Sequence, residues 1–306
     1  MYYLQTARTG PEARRVFSRI GWALTALLGI MLGGQVLLLA PVMLLAPTLL
    51  ERDWVPGLLA AVVSYGAAFP AALAILGTLP AAEPVPIRPL PGKKDMARFL
   101  LMCLGGMYIA NVITLFVMNL LELLRGAVSL NPVDSMQAQP LWVTLLTACV
   151  LAPILEELVF RGAVLRRLRP FGDRFAMAAS ALLFSLMHTN LYQMLYAFVL
   201  GYFFAWLILR TGRLTATMLL HAVINFIGAG LLPLLQRLGT APLALAGLLV
   251  LACMIYGGIR AVQWHVAVKR TYPRGPQGMW KGFLLNPGML VFLAVAVLLT
   301  ALIFFA

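Results

Sequence analysis

Two adjacent acids, Glu156 and Glu157, interrupt an apolar run of this 306-residue chain, with Arg161 four positions further on. A carboxylate so far from polar sequence needs a partner, because burying an unpaired charge is costly. Glu157 and Arg161, spaced i to i+4 with the acid first, share a helix face and can pair. Glu156 points about 100° away from Glu157 on the same helix and must face a different neighbour. Free of a cation of its own, it is suited to act as a general base on water. Two other apolar runs carry His188 and His221. Phe184 precedes His188 by four and Asn225 follows His221 by four, so each pair lies on one face. Imidazole can carry protons or bind metal, and an asparagine amide is a donor that needs no net charge. Singly, each residue has a plain reading, as an ion pair fixing helix register or a histidine satisfied by packing. Together, three separate apolar segments can satisfy such groups only through one another or through water in a cavity.

The elements that must position these residues are read from composition. The chain is 62% hydrophobic and 11% charged, which leaves no polar surface for a soluble domain. A hydrocarbon layer about 30 Å thick needs roughly 20 apolar helical residues. Stretches near 20–46, 55–79, 99–124, 141–165, 175–189, 191–209, 214–232, 241–262 and 288–306 fit that requirement. The expected fold is all-α, a polytopic transmembrane helical bundle of about nine spans, with eight as the other count because 175–189 and 191–209 are short and nearly fused. The first stretch follows Arg8, Arg14, Arg15 and Arg19 but is too long for a signal-peptide core, so it reads as a retained span.

The net charge of +13 does not indicate nucleic acid, because the 23 basic residues alternate. Taken from the N-terminus, the ten segments around nine spans hold 4, 1, 4, 1, 5, 0, 2, 1, 5 and 0 of them. The positive-inside rule then places the N-terminus in the cytoplasm and the C-terminus outside. The basic loops suit anionic lipid headgroups. Most of the basic residues are Arg, which with the Ala- and Leu-rich composition points to a bacterial cell membrane. Seven of the ten acids, among them Glu83, Asp134 and Asp173, fall in loops or termini. Glu122 sits at a span edge beside Arg125, within reach of the interface, and His265 is placed at the interface too. Cys103, Cys149 and Cys253, odd in number and inside spans, suggest packing residues and not disulfides or a zinc knuckle.

Three parts are expected: 1–139, N-terminal spans with a Pro-rich cytoplasmic connector; 140–232, a core carrying the polar residues; and 233–306, C-terminal spans. Depth introduces a tension. At 1.5 Å per residue Glu156 lies about 15 Å from Arg166, whereas His188 lies about 20 Å from Arg174. The fifth helix must tilt or start late for the two to meet.

The motifs read Glu-Glu-Leu-Val-Phe-Arg (156–161), Phe-Ser-Leu-Met-His (184–188) and His-Ala-Val-Ile-Asn (221–225). In this order, with Ala152-Pro153 before the first and Arg-Thr-Gly-Arg-Leu (210–214) before the last, they resemble the CPBP (Abi) family of intramembrane proteases, related to CAAX prenyl proteases of type II. The resemblance covers about residues 140–232. It implies an intramembrane endopeptidase in which Glu156 and His188 activate water while His221 and Asn225 hydrogen-bond the tetrahedral oxyanion. Glu157 and Arg161 would support the site and Phe184 would line the substrate cleft. It also implies a membrane-embedded or membrane-associated peptide substrate and no metal cofactor. Two alternatives stay open. Glu156, His188 and His221 could ligate zinc in an intramembrane metalloprotease, although no His-Glu-x-x-His is present and Asn225 would be idle. A non-proteolytic scaffold or proton-coupled transporter could use the same buried groups, although no inverted repeat is visible. Ser185 has no acid behind it, which disfavours a serine nucleophile.

Overall fold

The computed structural model describes residues 10–132, 139–272 and 278–305; Arg8, Asp134 and Arg274, which entered the acid and charge counts, lie outside the described residues. The first helices are α1 (Pro11–Leu45), α2 (Val55–Gly77), α3 (Lys93–Arg125) and α4 (Leu141–Phe171). There follow α5 (Asp173–Leu186), α6 (Leu191–Thr211), α7 (Leu214–Arg237) and α8 (Thr240–Thr271). A short α9 (Met279–Leu284) leads into α10 (Pro287–Phe305), and no strand occurs among the described residues. The chain is an integral membrane protein with an all-α fold.

Eight of these helices are long and apolar enough to cross a membrane, the lower of the two expected counts, and one expected span falls short. The exception is α5, whose 14 residues reach only about 21 Å. It does not need to match the lipid, because nine of its residues, from Phe175 to Ser185, are buried inside the bundle. It still carries the chain from one end of the bundle to the other, and the contacts at the two ends make this visible. At one end Arg19 bonds Thr78 (3.3 Å), Ala82 N–H donates to Arg166 O (3.0 Å), and Arg169 donates to Glu83 O (2.9 Å). Arg88 N–H donates to Thr211 O at the same end (2.9 Å), and Arg213 returns a bond to Arg88 O (2.8 Å). At the other end Trp54 meets Trp142, Tyr192 bonds Glu122, and Arg125 donates to the carbonyl of Phe304.

The basic segments therefore gather at one end. The Pro-rich stretch 80–92 lies across that end as a strap. Gly212, at φ +67°, closes the turn beneath it, and a Cβ there would meet Val85 O at 2.5 Å.

Glu122 and Arg125 lie in the last turn of α3, at its edge. Glu122 accepts hydrogen bonds from Tyr192 OH (2.7 Å) and Ser129 N–H (3.0 Å), while Arg125 turns to the carbonyls of Ala127 and Val128. His265 is exposed on α8, and the three cysteines are free thiols.

Small residues let helices approach closely where lipid gives no hydrophobic drive. Gly21 of α1 packs on the backbone of Gly288 of α10, and Gly105 of α3 on Gly257 of α8; a Cβ at any of the four would collide with backbone. Two apolar clusters fill the interior. One joins Phe17, Leu24, Phe160, Phe175, Phe283 and Phe292 from α1, α4, α5, α9 and α10. The other joins Phe99, Phe203, Phe204 and Leu220, packed against Trp206 and Trp264. Outward residues such as Leu37, Leu44, Leu123 and Leu248 are exposed apolar groups of the kind a lipid-facing surface presents.

Candidate active site

The helix carrying both glutamates is not uniform. Wider π-helical turns at Leu145–Leu151 and Leu158–Val164 bracket a regular segment, Ala152–Glu157. Such bulges often accompany functional sites, and here one has a traceable cause. Ala152 N–H donates to Thr147 O, five residues back. Pro153 comes next and has no N–H, which leaves the carbonyl of Ala148 without the corresponding backbone donor. The side-chain amide of Asn225 fills that gap, donating to Ala148 O at 2.7 Å. A proline in α4 and an asparagine in α7 thus lock the two helices in register.

Glu157 is fully buried and lies 2.9 Å from Arg161 Nη1, whose side chain is buried too. The guanidinium lies 4.2 Å over the Phe184 ring and 5.5 Å from that of Phe204. No Arg161 nitrogen makes a well-aligned hydrogen bond among the described residues, so charge pairing and ring stacking hold it. Gly201 makes room, since a Cβ there would sit 3.2 Å from Arg161 Nη2. Glu157 has a second partner that helix spacing did not reveal: Nδ1 of His221, 3.2 Å from Oε1. The other ring nitrogen, Nε2, stands 3.7 Å from Oε2 of Glu156. His221 therefore sits between both carboxylates.

His188 lies just past the end of α5, in the turn before α6. α5 begins at Asp173 and so does not start late, yet Glu156 and His188 still line one cavity. The turn is held by Asn190, which caps α6 by accepting from Gln193 N–H (2.9 Å) and donates to the carbonyl of His188 (2.8 Å). Between them Thr189 adopts φ +50°, an uncommon value for a β-branched residue and one that marks a constrained turn. His188 Nδ1 is 2.9 Å from the Phe184 carbonyl. A carbonyl only accepts, so Nδ1 carries the hydrogen and Nε2 of the neutral ring is left as an acceptor. Phe184 stands edge-on to both histidines, with ring centroids at 4.9 Å and 5.9 Å.

Glu156, His188 and Phe184 line one cavity of about 260 Å³. His221 borders Glu156 behind it, and Asn225, turned to Ala148, is not part of its lining. The outer wall comes from helices without motifs: Met31 and Gln35 of α1, Tyr65 and Phe69 of α2, and Leu299 of α10. Gln35 alone had a visible signal, as a single amide in a long apolar stretch. Among the described residues no three His, Cys, Asp or Glu side chains are arranged to hold a metal ion. The arrangement supplies instead a carboxylate and an imidazole acceptor on one cavity, backed by a second imidazole that a buried ion pair holds.

The family comparison falls on the same helices. Residues 138–227 match the family described as type II CAAX prenyl endopeptidase Rce1-like. YdiL, a candidate membrane peptidase of Bacillus subtilis (strain 168), is 32% identical over 96 residues, which cover 30% of this chain and 37% of that protein. The chain thus spans little more than a third of this relative's length. No solved structure matches it. The family match spans the segment that holds Glu156, Glu157, His188, His221 and Asn225, and it supports the resemblance to the CPBP family, related to the type II CAAX prenyl proteases.

Proposed function

We propose that the chain is an intramembrane endopeptidase that hydrolyses a peptide bond of a membrane-embedded or membrane-associated substrate. The observation that carries this reading is that Glu156 of α4 and His188 of the turn after α5 line a single cavity within the membrane-spanning bundle. Water held between the Glu156 carboxylate and the free Nε2 of His188 loses a proton to Glu156 as its oxygen attacks the substrate carbonyl. The resulting oxyanion is stabilised by donors from α7, and the proton passes to the departing amine. Both steps are ordinary general acid–base work.

In this reading His221 and Asn225 are the oxyanion donors. His221 gives Nδ1–H to Glu157, so donation from Nε2 requires a hydrogen on both ring nitrogens. The Glu157 carboxylate is the group that would balance that cation, much as a buried acid orients a catalytic histidine. Asn225 has two amide hydrogens, of which the Ala148 carbonyl uses one. The membrane is that of a bacterial cell, with the basic end of the bundle, including the N-terminal segment, on the cytoplasmic side.

The test is cleavage of a bilayer-embedded peptide by purified protein in proteoliposomes, with wild type and Glu156→Gln compared at matched folding. Cleavage by wild type that survives excess chelator and disappears with Glu156→Gln supports the reading. Loss with chelator and recovery with zinc would transfer it to metal chemistry.

A further inference from the structure

The cavity reaches from the middle of the bundle toward the end away from the basic loops, and α1 and α10 show why. Near the basic end the two helices are clasped: Gly21 packs on Gly288, and Ser18 Oγ accepts from Gly288 N–H at 3.0 Å. Every buried residue of α1 falls between Ala13 and Leu28, and every one of α10 between Gly288 and Ala296. Beyond those points no residue of either helix is fully buried, although Gly34 of α1 still packs on Val63 of α2 and Arg125 of α3 still reaches Phe304 of α10. The cavity begins there, walled by Leu28, Met31, Leu32 and Gln35 of α1 and by Leu299 of α10.

Two polar groups on this outer wall have no assigned purpose. Gln35 on α1 and Tyr65 on α2 make no side-chain hydrogen bond among the described residues, yet both face the cavity. In hydrocarbon an unpaired amide or hydroxyl is costly. A membrane helix bonds its own backbone throughout, so a water molecule can reach a peptide carbonyl only where that helix unwinds. Unwinding frees backbone N–H and C=O groups that need new partners. Gln35, which both donates and accepts, and the Tyr65 hydroxyl are placed to provide them. A cavity of about 260 Å³ suits a short extended stretch, not a helix about 10 Å across.

We infer that the substrate is a bilayer-embedded apolar segment, cut in the half of the membrane opposite the basic loops. It enters laterally between the partly exposed ends of α1 and α10, and Gln35 and Tyr65 pair with its unwound backbone. This rests on the proteolytic reading and adds to it a route, a depth and two substrate-positioning residues.

The experiment uses the full chain in proteoliposomes with two transmembrane reporter peptides. They carry the same apolar stretch, placed in the half nearest the basic loops or in the opposite half. A photo-crosslinking amino acid at Leu32 reports entry independently of cleavage. Expected are crosslinking and cleavage with the opposite-half reporter, and a fall of about tenfold in kcat/KM with Gln35→Leu at unchanged melting temperature, as for one lost hydrogen bond. Gln35→Asn should recover part of that loss. Cleavage of only the basic-side reporter, with no crosslink at Leu32, overturns the route and leaves the proteolytic reading standing. Crosslinking without cleavage of either reporter overturns proteolysis and with it the proposed cut. Neither signal overturns both.

Discussion

Nδ1 of His221 lies 3.2 Å from Oε1 of Glu157, the same oxygen that stands 2.9 Å from Arg161. One buried carboxylate oxygen therefore serves a cation on its own helix and an imidazole on α7. The stability of the bundle and the orientation of a candidate catalytic ring depend on the same atom. Arg161→Ala should strand Glu157 without its cation in a fully buried setting and lower stability by about 3–5 kcal/mol. Glu157→Gln should lower stability comparably and also release His221. Thermal melting of detergent-purified variants measures the first effect. An Arg161→Ala protein melting with wild type would show that the pair has no structural role.

Glu156 should behave differently from its neighbour. It is partly exposed to the cavity, and no Lys or Arg forms an ion pair with it within 4.0 Å among the described residues. Glu156→Gln keeps the shape but cannot take a proton from water, so turnover should fall below detection while the melting temperature stays within a degree or so of wild type. Turnover near the wild-type rate in this variant would sink the proposed mechanism.

Asn225 has two separable duties in this structure. Loss of an oxyanion donor costs about 10²–10³ in turnover, and loss of the bond to Ala148 costs about 0.5–1.5 kcal/mol of stability. Asn225→Ala should show both. Pro153→Ala restores a backbone N–H in α4 that can reach the Ala148 carbonyl. The double variant should therefore lose less stability than the two single losses added together, while turnover stays low. Strict additivity in melting experiments would mean that Pro153 is not the reason Ala148 needs Asn225.

Much of the site was legible because polar residues are expensive inside apolar runs. Glu156, Glu157, Arg161, His188, His221 and Asn225 stood out for that reason alone, and i to i+4 spacing correctly gave the Glu157–Arg161 pair and the Phe184–His188 contact. The Glu157–His221 bond was not legible, because it joins residues 64 apart and no local rule links them. Of the two expected span counts, eight helices meet the length rule; α5 does not, because a helix enclosed by protein need not match the bilayer thickness. The outer wall of the cavity was also hidden: Met31, Phe69 and Leu299 are indistinguishable in sequence from residues that face lipid.

The alternation of charge makes a prediction about sides. Single cysteines at Glu83 and Arg213 should label from one face of the membrane, and cysteines at Asp53 and Ala127 from the other. The background would have Cys103, Cys149 and Cys253 replaced. If α5 returned to the side it left, the strap contacts from Arg88 to Thr211 and Arg213 could not form. Labelling of Glu83 and Arg213 from opposite faces would therefore exclude this topology.

The last prediction separates glycines that only lengthen a helix from those that join two. Gly21 and Gly29 lie in the same helix, α1, and their surroundings differ. A Cβ at Gly21 would run into the backbone of Gly288 and Met289, whereas one at Gly29 would meet nothing within 4 Å. Backbone cannot rotate aside as a side chain can, so Gly21→Ala should push α1 away from α10 and cost about 1–3 kcal/mol, in the range of an overpacked core. Gly29→Ala should do the reverse, stabilising by about 0.5–1 kcal/mol through the better helix propensity of alanine. Opposite shifts in melting temperature are therefore expected from the same chemical change, made eight residues apart on one helix. The Gly21 clasp also anchors the two helices whose partly exposed ends wall the cavity. Its variant should accordingly lose turnover more steeply than stability alone accounts for when assayed well below its melting temperature. Equal shifts of the same sign at both positions would mean that α1 and α10 are not held together at Gly21.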